Sequence, residues 1–331
     1  MWIGRKTGNN VAHLPRSSSF NTDALARLRS AQPGALYCGS FRIWQLMTTL
    51  SQLLNRHRSI RAFLPDAIDP ELIQSVCADA IAGGSSSGNL NSVSIIVTQD
   101  KGRKERLYDL HFKQEMVRQA PLVMTFCADW FRTRQWLASR GARDNFNNLL
   151  GYHVAAFDAM IVAQNVCLGF EAHGFGICYM GTTLHSMGDI ADFLELPETC
   201  LPVTSIVVGM PAEDPPKRDR LPLNAFIHNE TYSAPNASEL DAIYSEREIR
   251  GWIRYMSIPH LKALVEEHDI KNLAEFYTSK VKYDPDQFAV DSEKLRKVLK
   301  RVPANCYVRL ARSLARSRYE PFALQHFAKF L

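Results

Sequence analysis

"GGSSSGNLNSVSIIVTQD", residues 83–100, joins a cluster of glycine, serine and asparagine directly to a β-branched run. Just upstream, Asp69 supplies a helix N-cap and Pro70 a first helical residue, and apolar positions then recur at helical spacing. The pattern predicts an amphipathic helix that ends at Gly83, a short polar loop, and a strand over residues 94–98.

Three interpretations of the polar loop are open: a flexible linker, a nucleophile site, or a cradle for a polar ligand. A capped helix and a buried strand adjoin the loop closely, which argues against slack chain. A nucleophile needs a partner base, and the sequence has no GxSxG elbow, HExxH, Walker or GxGxxG motif. A fixed polar loop that presents hydroxyl and amide groups is the interpretation left.

Three further buried strands are predicted at residues 121–129, 174–181 and 202–211. A mostly apolar helix from about Asn147 to His173 separates the first two of them, and a shorter helix capped by Ser186 ends before Pro197. The order helix, strand, strand, helix, strand, helix, strand indicates an α+β fold with a central sheet, because a wound parallel sheet would alternate βαβ units.

The long apolar helix must be covered on several sides, by the core or by a second subunit, so a dimer is expected. Asp158, Gln164 and Asn165 interrupt it, which argues against a membrane span. The seven cysteines form no CxxC pair, and most lie in apolar surroundings, as reduced core residues of an intracellular protein do. We therefore expect a cytoplasmic protein.

The composition divides the chain into three parts. Residues 1–46 are rich in Arg, Ser, Asn and Gly and contain one acid, typical of a disordered leader or, alternatively, of an organelle-targeting peptide. Residues 47–235 carry the predicted core. Residues 236–331 are charged and helix-prone, with amphipathic stretches at 238–255, 259–278 and 291–330, and form a helical C-terminal extension.

The net charge of +5 is mildly basic, and the basic residues are clustered. The cluster along residues 294–318 alternates with apolar positions, so two amphipathic helices with basic outer faces explain it better than nucleic-acid binding does.

Two basic clusters lie near the two ends of the predicted core. "HRSIRAF", residues 57–63, places Ser59 and Arg61 on the same side of an extended segment, and "PPKRDRLP", residues 215–222, is a second basic loop between prolines. Guanidinium and hydroxyl groups on two loops suit one dianionic phosphate, although each cluster alone is also typical of a solvated surface turn. No histidine pairs with another histidine or cysteine at metal-ligand spacing, so no metal site is predicted.

Six motifs in a fixed order along the chain together indicate a resemblance to a known family. With "HRSIRAF", "SSSGNLNSVSIIVTQD", "FCAD", "GFGICYMGTTL", "LELPETCLPVTSIVVGMPAEDPPKRDRLP" and "IHNETY" in sequence, the chain resembles the FMN-dependent nitroreductase family from about Met47 to Tyr232. It is most similar to the oxygen-insensitive NADPH nitroreductase and flavin reductase branch. The resemblance implies an α+β fold with a central mixed sheet flanked by helices, and an intertwined homodimer with two FMN sites at the subunit interface.

The resemblance also implies which residues bind the cofactor. Those that contact the FMN phosphate and ribityl chain would be His57, Arg58, Ser59, Arg61, Arg218 and Arg220. Gln114 and the backbone of Met180, Gly181 and Thr182 would face the isoalloxazine ring. Ser85, Ser86, Ser87 and Asn89 would reach the same flavin from the partner subunit. Thr182 replaces the second glycine common in the branch, and Arg254 is the neighbour of a loop that binds the NADPH 2′-phosphate in relatives.

The implied activity is ping-pong hydride transfer from NADPH or NADH to FMN, and then to a nitroaromatic, quinone or flavin acceptor. No protein nucleophile is required, because the flavin carries the chemistry. Two alternatives stay open: a flavin-site enzyme that dehalogenates or fragments its substrate, and a flavin-binding protein whose basic tail engages a partner.

Overall fold

The computed structural model describes residues 49–300, all of which belong to one compact unit, Thr48–Leu331. The predicted leader, residues 1–46, and the part of the basic tail beyond residue 300 lie outside the described residues. The domain boundary expected at residue 235 stays a prediction.

Four antiparallel strands form the central sheet in the order β1-β2-β4-β3. They are β1, Val93–Thr98; β2, Leu122–Asp129; β3, Gly176–Met180; and β4, Cys200–Gly209. All eight residues of β2 are buried, as expected for a central strand covered on both faces. The sheet was expected to be mixed; among residues 49–300 the parallel contribution is an isolated bridge between Ser59 and Ile177.

The helices of the core are α1, Leu50–Arg56; α2, Pro70–Ala82; α3, Lys101–Leu110; α4, Met116–Gln119; α5, Phe131–Ser139; α6, Leu149–Ala172; and α7, Met187–Phe193. The predicted start of α2 is confirmed, since the Asp69 carboxylate accepts the backbone N–H of Glu71 and Pro70 is the first helical residue. Ser186 does precede α7, but its side chain makes no capping hydrogen bond.

Helices cover both faces of the sheet because successive side chains of each strand point to opposite sides. On one face, Phe126 of β2 packs in a cluster with residues of α2 and α6, including Val76 and Phe170. On the other face, Val123 of the same strand packs with residues of α3, α4 and α7, including Leu107 and Ile190. The α+β architecture expected from the order of elements is confirmed.

By length and composition α6 is apolar enough to cross a membrane, and half of its most apolar window is buried inside the protein. It packs against α2 and β2 and carries Asp158, which is only 2% exposed and hydrogen-bonded. These contacts make α6 the central core helix. One stripe of it nevertheless remains exposed, including Leu150 and Phe157, which are 75% and 64% exposed.

The extension forms α8, Ala237–Met256; α9, Pro259–Glu267; α10, Leu273–Tyr277; and α11, Pro285–Lys300. Two predicted stretches differ from this. The helix expected over 259–278 is broken, because Asn272 caps a new helix by accepting the backbone N–H of Glu275. The helix expected from residue 291 begins at Pro285, which stands at a first helical position.

We predict that Gly169→Ala lowers the free energy of unfolding by about 1–2 kcal/mol. A Cβ at this position of α6 would lie 2.8 Å from Cγ1 of Val76 on α2, and a β-branched side chain has little rotamer freedom to move away. Gly83→Ala is the matched control, because its Cβ would lie 3.4 Å from the nearest atom, the Asp79 carbonyl oxygen. Urea denaturation measures both, and equal stability of the two variants would contradict the predicted helix contact.

Candidate functional site

The segment containing "HRSIRAF" lies along the outer edge of β3. The backbone N–H of Ile60 donates to the carbonyl of Ile177 at 2.9 Å, and Ser59 forms its bridge to the same residue. Ile60 is buried against Gly176, where a Cβ would lie 2.6 Å from Ile60 Cγ1. Ile60 is buried, whereas Ser59 is half-buried and Arg61 is exposed.

The proline-bounded loop folds back onto this segment. Arg58 Nη1 lies 2.7 Å from Asp214 Oδ1 and donates to the Pro215 carbonyl at 3.3 Å. Lys217 Nζ donates to the Asn55 carbonyl at 2.8 Å, and Glu213 Oε1 accepts the backbone N–H groups of Arg61 and Ala62. The two basic clusters, which the sequence separates widely, are thus joined by direct contacts.

Arg218 is a partly buried cation of the same loop. Burial lowers the pKa of its guanidinium, and repulsion from Arg254 and Arg61 lowers it further. In the described part of the chain neither Arg61 nor Arg218 forms an ion pair with a carboxylate. Their mutual repulsion is what an anion placed between them would relieve.

Three other arginines of this region have protein partners. Arg254 on α8 lies 3.2 Å from Asp219 Oδ1, and Arg247 lies 3.7 Å from Asp219 Oδ2. Burial opposes ionisation of Asp219, but hydrogen bonds from its own backbone and from Arg254 lower the pKa of this carboxyl overall. Arg220 donates to the carbonyls of Arg218 and Asp219, both at 3.2 Å, so at present it holds the loop's own backbone.

His57 is held by a residue that the sequence interpretation missed. Its Nδ1 lies 2.6 Å from Oε1 of Glu171, in the last turn of α6, and the other oxygen of this carboxylate is buried without a partner in the structure described. A carboxylate that accepts Nδ1–H fixes the ring and leaves Nε2 as the nitrogen available to a ligand. No local pattern reveals the pair, because the two residues are 114 positions apart.

The end of β3 provides a flat, bare surface. Met180 is buried, whereas Gly181 is exposed, and nothing lies within 4 Å of the position that a Cβ of Gly181 would take. The next side chain, Thr182, is oriented by His111, whose Nδ1 lies 2.8 Å from Thr182 Oγ1. Gln114 is half-buried three residues after His111. These residues form a backbone-lined surface about 10 Å along β3 from the bridge at Ile177, given the rise of a strand.

The serine loop is rigidly attached to α6. Asp158 Oδ2 accepts the Ser86 hydroxyl at 2.7 Å and the Ser92 backbone N–H at 3.1 Å, and Oδ1 accepts the Ser87 N–H at 3.3 Å. Gly88 and Asn89 have left-handed φ values of 61° and 55°, which glycine and asparagine adopt most readily. The linker interpretation is therefore wrong, and the loop is a fixed polar element in which Ser85, Ser87 and Asn89 are exposed.

The serine loop and the basic segment are anchored to opposite halves of α6. Asp158 and Glu171 are 13 residues apart, which corresponds to roughly 20 Å along the helix axis. The structure brings the two basic loops together, and it joins Thr182 to His111, three residues before Gln114. It does not bring the serine loop to the basic loops of the same chain.

The α+β fold, with two basic loops in contact and a strand end bare of side chains at Gly181, defines the class of protein only broadly. Comparison with known proteins identifies the class more closely. The model for the Nitroreductase family matches residues 54–210. A Bacillus subtilis protein named FMN reductase (NADPH) is 33% identical over 187 residues, which cover 56% of this chain and 74% of the relative.

An oxygen-insensitive NADPH nitroreductase of Salmonella typhimurium is 32% identical over 203 residues, which cover 61% of this chain and 81% of that protein. A crystal structure of a Bacteroides fragilis protein superposes with a TM-score of 0.68 at 35% identity and covers 75% of this chain and 97% of its own. The chain belongs to the nitroreductase family, and the resemblance seen in its motifs is confirmed.

His111 makes the stability of the protein depend on pH. Burial lowers its pKa from 6.5 to about 4, so the imidazole stays neutral in the folded protein while the unfolded chain takes up a proton below pH 6.5. The unfolded state then binds more protons, and acidification from pH 6.5 towards 4 destabilises the fold by roughly 2–3 kcal/mol.

We predict that His111→Gln removes this contribution. Urea denaturation of both proteins at pH 7.5 and pH 4.5 isolates the effect, because all other groups titrate alike in the two. The unfolding free energy of the unchanged protein should fall by about 2 kcal/mol more than that of the variant. Identical pH dependence of the two proteins would show that His111 is not buried as a neutral ring.

Proposed function

We propose that the protein is an FMN-dependent NAD(P)H oxidoreductase that passes hydride from NADPH or NADH to a nitroaromatic, quinone or flavin acceptor in a ping-pong cycle. The names of the two relatives, an FMN reductase and an NADPH nitroreductase, support this activity. The observation that carries it is the direct contact of the two basic loops, in which Arg61 and Arg218 form no ion pair with a described carboxylate. A phosphate dianion supplies the missing counter-charge.

The residues present fit FMN at both of its ends. Arg61, Arg218, the Ser59 hydroxyl and His57 would hold the phosphate and ribityl chain, and the bare backbone at Gly181 accepts a flat ring without steric hindrance. The bridge between Ser59 and Ile177 lies three residues, roughly 10 Å, before the end of β3 at Met180, which is on the scale of the flavin chain.

The backbone of Met180, Gly181 and Thr182, with the Gln114 amide, would contact the ring. Arg58 and Arg220 would also contact the phosphate, after exchanging the partners they now have, which are Asp214 and backbone carbonyls.

When bound, FMN supplies a ring that accepts hydride from a nicotinamide and returns it to an acceptor. The protein's part is orientation and electrostatics. Glu171 fixes the His57 ring, and Glu213 ties the backbone of Arg61 and Ala62 in place. His111 fixes the Thr182 hydroxyl at the edge of the flat surface and, with a pKa of about 4, stays neutral at physiological pH. These contacts preorganise the site before the ligand binds.

We further propose a homodimer in which each flavin contacts both chains. Within one chain the serine loop is anchored roughly 20 Å along α6 from Glu171, too far to share a ligand of FMN size with the basic loops. The exposed apolar stripe on α6, which includes Leu150 and Phe157, is the surface that a second copy would cover. Ser85, Ser86, Ser87 and Asn89 then serve the flavin of the partner.

The proposal extends to the nicotinamide donor and to the location of the enzyme in the cell. Arg254 is the candidate contact for a nicotinamide nucleotide phosphate, which would compete with Asp219 for the guanidinium. The burial of α6 in the core and the free cysteines among the described residues support a cytoplasmic enzyme.

The absorption spectrum of the purified protein tests the cofactor and the donor together. We expect flavin bands that bleach anaerobically on addition of NADPH or NADH and return with a quinone. Arg61→Ala should lower the FMN affinity about tenfold to a hundredfold, because it removes one charge-assisted phosphate contact. Arg140→Ala, on the exposed turn after α5, is the charge-matched control and should retain the flavin. A colourless protein that binds no FMN on reconstitution would overturn the proposal, and equal FMN affinity in the two variants would overturn the phosphate site.

The dimer has its own test. Phe157→Glu places a charge in the exposed apolar stripe of α6, and we expect the variant to elute as a monomer in size-exclusion chromatography and to lose its FMN. Val290→Glu, on α11 and similarly exposed at 51%, should remain a dimer with its flavin. A monomeric unchanged protein that binds FMN fully would contradict the shared site.

A further inference from the structure

A helix terminus beside the site carries an aromatic residue where glycine is usual. At the end of α3 the backbone N–H of Lys113 donates to the Tyr108 carbonyl at 2.9 Å, and that of Phe112 donates to the Asp109 carbonyl at 3.1 Å. These are the two hydrogen bonds of a Schellman motif. They place Phe112 at the left-handed position, with φ 57°, and Lys113 follows with φ 56°.

Neither the turn nor the core explains this phenylalanine. A left-handed conformation is unfavourable for a residue with a bulky side chain, and glycine would form the same turn without strain. The ring is not buried in compensation, since Phe112 is 58% exposed. An exposed aromatic ring held in a strained backbone points to a role outside folding.

Two other rings continue the surface that Phe112 begins. His185 meets Phe112 edge to face with ring centroids 6.0 Å apart, and it meets Phe288 of α11 at the same distance. Phe288 is 53% exposed. Asp291, also on α11, fixes His185 through a contact of 2.7 Å between Oδ2 and Nδ1. Three separate segments thus present one partly exposed aromatic surface.

This aromatic surface borders the flat surface at the end of β3. Phe112 directly follows His111, which orients Thr182, and lies two residues before Gln114. The backbone N–H of His185 donates to the Thr182 carbonyl at 3.1 Å. Thr182 is therefore connected to the aromatic surface in two ways: its hydroxyl contacts His111, the neighbour of Phe112, and its carbonyl accepts the N–H of His185.

We propose that Phe112, His185 and Phe288 form the subsite that binds the planar aromatic electron acceptor beside the flavin; this rests on the function proposed above. Aromatic rings contact one another favourably by offset stacking or edge to face, and the exposed faces of Phe112 and Phe288 offer both geometries to a flat molecule. An acceptor without an aromatic ring gains nothing from this surface.

The test compares Phe112→Gly with Lys113→Gly. Both substitutions place glycine at a left-handed position of the same turn, but only the first removes an aromatic ring. Each variant is purified as holoprotein, and its FMN content and melting temperature are measured. The KM for 1,4-naphthoquinone is measured. Ferricyanide reduction is measured separately, as the comparison with a non-aromatic acceptor. The Kd of 1,4-naphthoquinone is measured by calorimetry without nicotinamide, so that no turnover occurs.

We expect Phe112→Gly to keep its FMN, to melt a few degrees higher or unchanged, and to raise the KM and Kd for naphthoquinone about threefold to tenfold. Ferricyanide reduction should be unaffected. Lys113→Gly should leave naphthoquinone binding within about twofold, and Phe112→Tyr should restore it. Phe288→Ala provides a second variant outside the turn, with a rise in Kd in the same direction.

Other results separate the two proposals. If Phe112→Gly and Phe288→Ala bind naphthoquinone as the unchanged protein does while flavin and ferricyanide reduction persist, the subsite is wrong and the oxidoreductase stands. If Phe112→Gly lowers the melting temperature and leaves the Kd unchanged, the ring serves only to pack α11, which also overturns the subsite. If the unchanged protein neither holds flavin nor reduces ferricyanide, both proposals fall.

Discussion

Two carboxylates on the central helix fix the positions of both halves of the candidate site. Asp158 receives three hydrogen bonds from the serine loop and the residue that precedes β1, and Glu171 holds His57 at the other end of the helix. A buried carboxylate is costly unless it is hydrogen-bonded, so each of these groups imposes its geometry on the loop that satisfies it. The helix α6 therefore does more than fill the core, because its rise per residue sets the distance between the serine loop and the segment that contains His57.

The charges around the basic loops divide into satisfied and unsatisfied groups. Asp214 and Asp219 neutralise Arg58, Arg247 and Arg254, and thereby hold the proline-bounded loop between the core and α8. Among the described residues, Arg61 and Arg218 form no ion pair with a carboxylate. Cations without a carboxylate partner add to the positive potential around these loops, and such a potential favours a dianion over a monovalent ion.

The sequence predicted most of the elements but few of the contacts between them. The start of α2, the buried strands and the long helix follow from caps and periodicity, which are local signals. The pairing of His57 with Glu171 and the support of Thr182 by His111 depend on residues brought together only by the tertiary fold, and neither carries a motif.

Composition could not reveal that Arg58 pairs with Asp214 or that Arg220 donates to the carbonyls of its own loop, because these contacts form only in the folded chain. The break at Asn272 was missed for a related reason, since a helical pattern of apolar residues continues across a cap that restarts the helix.

The described part of the C-terminal extension contacts the core on two sides of the candidate site. The extension reaches the core through His185 and Asp291 on one side and through Asp219 with Arg254 on the other. The first contact lies beside the flat surface at Thr182, and the second lies beside the candidate phosphate-binding arginines. A shift of α11 would therefore act on the surface at Thr182 through Asp291 and His185. A shift of α8 would act on the candidate phosphate-binding arginines through Arg254 and Asp219. In the proposed function the core supplies the flavin-binding residues and the extension supplies groups around them, so donor and acceptor preference can change without change to the cofactor site.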